Sequence, residues 1–118
     1  MSIIDFGCGT GLVGKHLKEG GFSNVIGVDV SDKMMEIASA KGCYKSLEKH
    51  ALGDAPNFPV QWKNKFDVCI LAGLINSNGL DYQIIEEMIM TTKQNGLMVF
   101  SSRFSYMGNY WYNFYLKE

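Results

Sequence analysis

The chain has 118 residues, enough for one domain with one hydrophobic core. Its composition, 47% hydrophobic and 19% charged with a formal net charge of −1, is typical of a soluble globular protein, and no apolar run approaches the roughly 20 residues of a membrane span. Arg103 is the single arginine, and the lysines are scattered, so the basic face that nucleic acid binding requires is missing.

The three cysteines indicate neither a disulfide framework nor a zinc site. Cys8, Cys43 and Cys69 are odd in number and show no C-x-x-C spacing. We therefore expect no metal and a reducing, cytoplasmic location. Cys69 lies in an apolar run, which favours a small core residue over a redox role.

Strand and helix patterns alternate in the first half of the chain. Residues 2–6 predict a short buried strand, and residues 10–19 a helix with apolar positions on one face. Residues 24–29 predict the second strand. Ser31 is suited to cap the amino end of a second helix over residues 32–41.

The second half continues the alternation after a weaker segment. Residues 47–52 predict an edge strand of mixed polarity, followed by a loop over residues 53–65 that holds both prolines. The apolar run 66–71 predicts a central strand, residues 82–93 a helix, and residues 97–101 a fifth strand.

This alternation predicts an α/β fold with a parallel sheet and right-handed crossovers. In such sheets ligands bind at the carboxyl ends of the strands. A glycine-rich loop, Asp29, Asp54 and Ala72 all follow predicted strand ends, so we expect them to converge on one rim.

The glycine-rich loop is the most informative feature. It reads Asp5-Phe6-Gly7-Cys8-Gly9-Thr10-Gly11 and joins the first strand to the first helix. Glycines permit positive φ angles and a close approach of ligand to backbone, and the helix amino end favours polar ligands. Asp29 lies about 18 residues after Gly11, near the usual interval for an acid that binds ribose hydroxyls. The pair predicts a nucleotide-like cofactor rather than a plain tight turn.

Two cofactors fit this loop. Residues 9–14 also satisfy the G-x-G-x-x-G pattern of NAD-binding domains, and Asp29 would suit the ribose of NAD equally well. Asp5 favours the other cofactor. An acid at the end of the first strand, where dinucleotide folds usually keep an apolar residue, suits a cofactor that carries an ammonium group.

Five segments together resemble the successive motifs of class I S-adenosylmethionine-dependent methyltransferases. They are residues 4–11, 27–34, 53–54, 66–68 and 95–97, and they cover nearly everything from residue 2 to residue 101. Within that family, residues 42–47, 51–53 and 72–74 are similar to the Williams–Beuren methyltransferase-like group. The resemblance implies a Rossmann-like three-layer sandwich with strand order 3-2-1-4-5, in a single cofactor-binding domain with its core at residues 2–102.

The resemblance also implies a role for each motif residue. The acids would bind polar groups of S-adenosylmethionine: Asp5 the methionine ammonium, Asp29 the ribose hydroxyls and Asp54 the adenine amine. The remaining cofactor residues would pack on the methionine, ribose and adenine parts: Gly7, Cys8, Gly9, Gly11, Val30, Met34, Gly53, Ala55 and Ala72. Each residue has a structural alternative, such as a helix cap for Asp29, a solvated turn for Asp54 and ordinary core for Val30 and Met34.

The implied reaction is displacement of the methyl group by a nucleophile of a small molecule. We find no convincing general base. His16 is predicted on the first helix, away from the rim, and His50 on the edge strand, so we expect both to be surface or structural residues. Asn76 and Ser77 could orient a polar substrate, although a turn and cap explain them equally. The segment after the fourth predicted strand, residues 73–79, lacks the Asn-Pro-Pro-Tyr run that resembles methylation of adenine or glutamine. This again disfavours nucleic acid as a substrate.

The chain departs from the family at both ends. It begins almost on the first strand and ends before the reverse hairpin of the seven-stranded sheet, so it resembles a truncated form. The fifth strand would then have an open edge. The aromatic tail, residues 103–118, could be a helix covering that edge, a self-association surface or the start of a truncated domain. An active methyltransferase, an inert cofactor-binding domain and an NAD-binding domain all remain open.

Overall fold

The computed structural model describes residues 1–75, 82–104 and 109–117. Within them lie a six-stranded sheet in the order β3-β2-β1-β4-β5-β6 and three helices. The strands and helices are β1 (Ile3–Phe6), α1 (Leu12–Glu19), β2 (Val25–Asp29), α2 (Asp32–Ala40), β3 (Ser46–Lys49), β4 (Phe66–Ile75), α3 (Tyr82–Thr91), β5 (Thr92–Phe104) and β6 (Asn109–Leu116).

The first five strands are parallel, which confirms the predicted α/β class and the order 3-2-1-4-5. β1 lies between β2 and β4, and all four of its residues are buried. Asp5 is in register with Gly27 on one side and Ile70 on the other. An acidic side chain is therefore fixed in the middle of the sheet, near its carboxyl edge.

The local signals for the first two helices are confirmed. α1 begins after Gly11, whose φ of 91° is left-handed, and ends at Gly20. Ser31 caps α2, since its hydroxyl accepts a hydrogen bond from the backbone N–H of Met34 at 3.2 Å. Both helices therefore start directly beside strand ends that bear predicted site residues.

The core lies between the sheet and the segments that cover it. Apolar side chains of β1, β2 and β4 pack against Trp62 and against Met88 of α3. Trp62 belongs to a short 3-10 turn in the segment predicted as a plain loop. Cys69 is fully buried, as expected of a small core residue, and all three cysteines are free and buried.

Residues 109–116 of the aromatic tail form a strand, and the prediction of an open edge on β5 is wrong. β6 pairs antiparallel with β5 from Leu97 opposite Leu116 to Phe104 opposite Asn109. The rings of Phe100 and Tyr115 stack with centroids 5.3 Å apart. Aromatic side chains favour pleated, half-buried positions, so this tail completes an edge that the first five strands leave unpaired.

No helix among the described residues has the length and apolar character to cross a membrane. Within the same part of the chain, no group of three or more histidine, cysteine or acidic side chains is placed to hold a metal ion.

Candidate cofactor site

A cavity of about 570 Å³ opens at the carboxyl ends of β1 and β4. The glycine loop after β1 and the first two turns of α1 form one wall, and Ala72 of β4 and Ser101 of β5 form the other. Asp5 reaches it from β1. The convergence of these strand ends is the one expected of an open parallel sheet.

The glycine loop presents bare backbone to this cavity. Gly7 and Gly9 have φ angles of 67° and 55°, in the left-handed region that favours glycine. A Cβ at Gly9 would meet no atom within 4 Å, so the space above the loop is open to a ligand. Any larger residue would extend its side chain into that space.

Asp29, at the end of β2, fastens the loop to the neighbouring strand. Its Oδ2 accepts a hydrogen bond from Gly9 N at 2.8 Å, and its Oδ1 accepts from Val30 N at 2.8 Å and Ser31 N at 3.0 Å. The predicted cap-like role for this carboxylate therefore exists in the structure. The side chain is only half-buried and still borders a second cavity.

This second cavity, of about 210 Å³, shares Gly7 with the first. Asp29, Val30, Leu52 and Ile84 line it, with His50 at its wall. The lining is mostly apolar, as suits a flat heteroaromatic ring, and an acid stands at its junction with the loop. The two cavities are thus adjoining compartments, one beside Asp5 and the other beside Asp29.

Asp5 is almost fully buried and is hydrogen-bonded by a residue that the sequence analysis did not single out. The hydroxyl of Tyr44 donates to Asp5 Oδ2 at 2.6 Å. Burial, together with the like charge of Asp29, raises the pKa of Asp5 to about 7, and the Tyr44 hydrogen bond opposes this rise. A buried carboxylate with so little solvation gains much from a cationic ligand.

His50 is a satisfied structural residue, one of the two predicted alternatives. Its Nε2 lies 3.0 Å from Glu87 Oε1 on α3, and both side chains are buried. The ring also packs edge-on against Trp62, with centroids 5.5 Å apart. His50 lies at the wall of the smaller cavity, and its contact with Glu87 joins the end of β3 to α3.

Several predicted residues lie outside the linings of both cavities. Gly11 packs on Ala38 and Tyr44, and Met34 is partly exposed on α2. Asp54 accepts a hydrogen bond from the Asn57 side chain at 2.7 Å, in the turn that also contains Gly53 and Ala55. The predicted roles of these residues in cofactor binding stay predictions. Asn76 and Ser77 lie outside the described residues.

The structure corrects the placement of His16. Its side chain, 68% exposed, lines the larger cavity, and its Nδ1 lies 3.6 Å from Glu19. The prediction that it points away from the rim is wrong because α1 starts right at the rim, so its second turn is still beside the cavity. The other lining residues that sequence reasoning missed are Thr10, Leu12, Val13, Leu52, Ile84 and Ser101.

The donor set fits a cofactor with an ammonium group at one end and a nucleoside at the other. A carboxylate lies in the larger compartment, bare glycine backbone lies at the centre, and a second carboxylate with apolar walls lies in the smaller compartment. Together with the strand order, this arrangement defines a Rossmann-like nucleotide-cofactor domain.

Comparison with known proteins gives the family. Residues 3–96 match the family described as methyltransferase domain. The chain is also 36% identical over 101 residues to human methyltransferase-like protein 27. The chain therefore belongs to the methyltransferase domain family, in agreement with the resemblance of its motifs.

Solved structures of similar fold agree. An S-adenosylmethionine-dependent methyltransferase from Mesorhizobium loti superposes with a TM-score of 0.69 at 26% identity, over 86% of this chain and 46% of that one. A putative one from Listeria monocytogenes gives a TM-score of 0.68 at 22% identity, over 86% and 46%, which shows the shared fold. The match to the human protein covers 86% of this chain and 40% of the relative. This chain thus spans less than half the length of these relatives.

Proposed function

We propose that this chain binds S-adenosylmethionine across the two adjoining cavities and transfers its methyl group to a small-molecule nucleophile. The observation that carries the proposal is the placement of two carboxylates, Asp5 and Asp29, on either side of a glycine loop that presents open backbone. Membership of the methyltransferase domain family favours this cofactor over NAD.

Each compartment has residues suited to one part of the cofactor. Asp5 would bind the ammonium group of the methionine moiety, with the glycine loop and Ala72 against its chain. Asp29 would accept hydrogen bonds from the ribose hydroxyls, although its oxygens also hold the loop. Val30, Leu52 and Ile84 would enclose the adenine ring.

When bound, S-adenosylmethionine supplies an activated methyl group on a sulfonium sulfur. The protein's contribution is to fix the cofactor and to keep its reacting end in a partly enclosed cavity, since alignment and exclusion of water provide much of the rate acceleration. The formal charge of −1 and the scattered lysines favour a small acceptor over a polyanionic one.

An inert cofactor-binding domain is the second candidate. The residues that support the proposal all concern the cofactor, whereas the predicted substrate residues Asn76 and Ser77 lie outside the described chain. Binding and transfer therefore need separate tests.

Calorimetric titration of the chain with S-adenosylmethionine, S-adenosylhomocysteine and NAD tests the first step. We expect binding of the two sulfur nucleosides and none of NAD; binding of NAD alone would contradict the proposal. Transfer of a radiolabelled methyl group to a panel of small amines, phenols and thiols tests the second step. Tight binding without any transfer would favour the inert domain.

A further inference from the structure

Tyr44 lies in the connection between α2 and β3, and its ring occupies a space that two glycines leave open. A Cβ at Gly14 of α1 would lie 2.4 Å from the ring carbon Cζ, and a Cβ at Gly27 of β2 would lie 3.0 Å from the ring. Real Cβ atoms do not approach to 2.4 Å, so position 14 requires glycine while the ring stays there. At Gly27 the contact with the ring is tight, and a Cβ there would also lie 2.7 Å from Leu47 Cδ2. The ring is thus wedged between the first helix and the second strand.

The Tyr44 hydroxyl has hydrogen-bond partners on both sides. Gly14 N donates to the hydroxyl oxygen at 3.2 Å, and the hydroxyl donates its proton to Asp5 Oδ2 at 2.6 Å. Because a backbone N–H can only donate, the direction of this chain is fixed. The hydroxyl serves as a donor that the helix backbone orients toward Asp5.

The other carboxylate oxygen of Asp5 remains available. No side-chain hydrogen bond engages Oδ1, yet the described residues contain no fully buried side-chain oxygen that lacks a partner. Oδ1 must therefore keep some accessible surface, and the space that Asp5 borders is the larger cavity. One oxygen is held by Tyr44 while the other faces the ligand space.

We propose that Tyr44 is a positioning residue for the cofactor's amino group: it holds Asp5 Oδ2 so that Oδ1 is presented to the larger cavity. This inference rests on the proposed function and extends it to a residue outside the glycine loop. Tyr44 does not itself border the cavity and acts through Asp5.

The groups around Asp5 make its protonation state depend on the hydrogen bond from Tyr44. Asp29 disfavours ionisation of Asp5, and burial raises its pKa to about 7, so the Tyr44 hydrogen bond is the contribution that favours the anion. Burial and Asp5 raise the pKa of Tyr44 and keep it a neutral donor. Burial also raises the pKa of the Cys8 and Cys69 thiols to about 12, so neither adds charge near neutral pH.

The pH dependence of ligand binding tests the inference. S-adenosylhomocysteine, which has the same amino acid and ribose groups, is titrated between about pH 5.5 and pH 9 into the wild type, Tyr44→Phe and Asp5→Asn. Wild-type affinity is expected to fall up to tenfold per unit below a midpoint near pH 7. In Tyr44→Phe the midpoint should rise by about one unit, with up to tenfold weaker binding near neutrality.

Two controls separate this effect from others. Asp5→Asn keeps an acceptor for the hydroxyl but cannot ionise, so its binding should be weak and should lack this midpoint. It also reveals any contribution from His16, which borders the same cavity. Tyr115→Phe, at an exposed position on β6, removes a tyrosine hydroxyl remote from Asp5 and should behave as the wild type. Carbon-13 NMR of the Asp5 carboxyl in the free protein should show the same upward shift in Tyr44→Phe.

The outcomes are distinguishable. A wild type that binds, with an unchanged midpoint in Tyr44→Phe, overturns the role of Tyr44 alone, as does a loss of affinity that is uniform with pH. A wild type that binds at no pH overturns the proposed function as well. If Tyr44→Phe does not fold, identical pH profiles for the wild type and Asp5→Asn overturn the inference, because Asp5 would then not control binding.

Discussion

The carboxylate of Asp29 accepts a hydrogen bond from the backbone N–H of Gly9 at 2.8 Å, across 20 positions of sequence. This bond joins the end of β2 to the loop that follows β1. The acid predicted to bind ribose therefore holds the glycine loop in shape, and ribose binding would use the same side chain. Its position at the smaller cavity, beside the glycine loop, follows from the pairing of β1 with β2.

Asp29→Ala should weaken binding of S-adenosylmethionine roughly ten- to a hundredfold, because about 1.5–3 kcal/mol is the scale of hydrogen bonds to a charged group. Calorimetry measures the change. Asp32→Ala is the matched control, since Asp32 is an exposed acid on the same segment that pairs with Lys49. Equal dissociation constants for Asp29→Ala and the wild type would contradict the ribose assignment.

Strands β1, β2, β4 and β5 were predictable because each has an apolar run of its own, and β3 because a strand of mixed polarity suits the edge of the sheet. The sixth was not. Residues 109–116 are an almost unbroken aromatic and apolar run, in which neither a period of two nor one of 3.6 stands out. Only the unpaired edge of β5 decides that this run forms a strand.

The geometry of the candidate cofactor site was predictable where local rules apply and not where packing decides. Positive φ angles at Gly7 and Gly9, and the acids at strand ends, are local consequences of sequence. The contact of Tyr44 with Asp5 joins residues 39 positions apart and depends on the space left by Gly14 and Gly27. No periodic pattern encodes such a contact.

Asp5 should reduce the stability of the unliganded protein above neutral pH. Its pKa is raised from 3.8 to about 7 in the native chain, so between these values the native state binds more protons than the unfolded state. Stability is therefore highest at the acidic end and falls as pH rises through this window. Above about pH 7 the loss is complete and levels off.

Asp5→Asn removes this titration. Urea unfolding at about pH 5 and pH 8 should show the wild type losing roughly 1–3 kcal/mol more than the variant between the two conditions. The comparison cancels other groups that titrate in both proteins. Parallel pH dependence in the two proteins would show that Asp5 ionises in the native state as readily as in the unfolded chain.

Gly14→Ala should destabilise the domain although alanine is the better helix former by about 1 kcal/mol. The new Cβ would lie 2.4 Å from the Tyr44 ring, which Gly27 confines on its other side. Overpacking of this kind costs roughly 1–3 kcal/mol. The free energy of urea unfolding measures the net effect.

A double-mutant cycle identifies the cause of that loss. In a Tyr44→Ala background the ring is gone, so Gly14→Ala should become neutral or stabilising through its helix propensity alone. Destabilisation of the same size in both backgrounds would mean that the contact with Tyr44 is not responsible.

Removing one partner of the buried pair of His50 and Glu87 should lower the free energy of unfolding more than replacing both. Glu87→Leu leaves the His50 Nε2 without its partner at 3.0 Å and should lower the free energy of unfolding by about 1–3 kcal/mol. The double variant His50→Phe with Glu87→Leu removes both polar groups and keeps a ring beside Trp62. It should be more stable than Glu87→Leu alone, because two apolar side chains leave no unsatisfied group.

Glu86→Gln, at the exposed neighbouring position on α3, is the control and should change stability by less than about 0.5 kcal/mol. Since His50 borders the smaller cavity, cofactor affinity of the double variant separately tests the proposed adenine site. A double variant less stable than Glu87→Leu would show that the two side chains do not act as a pair.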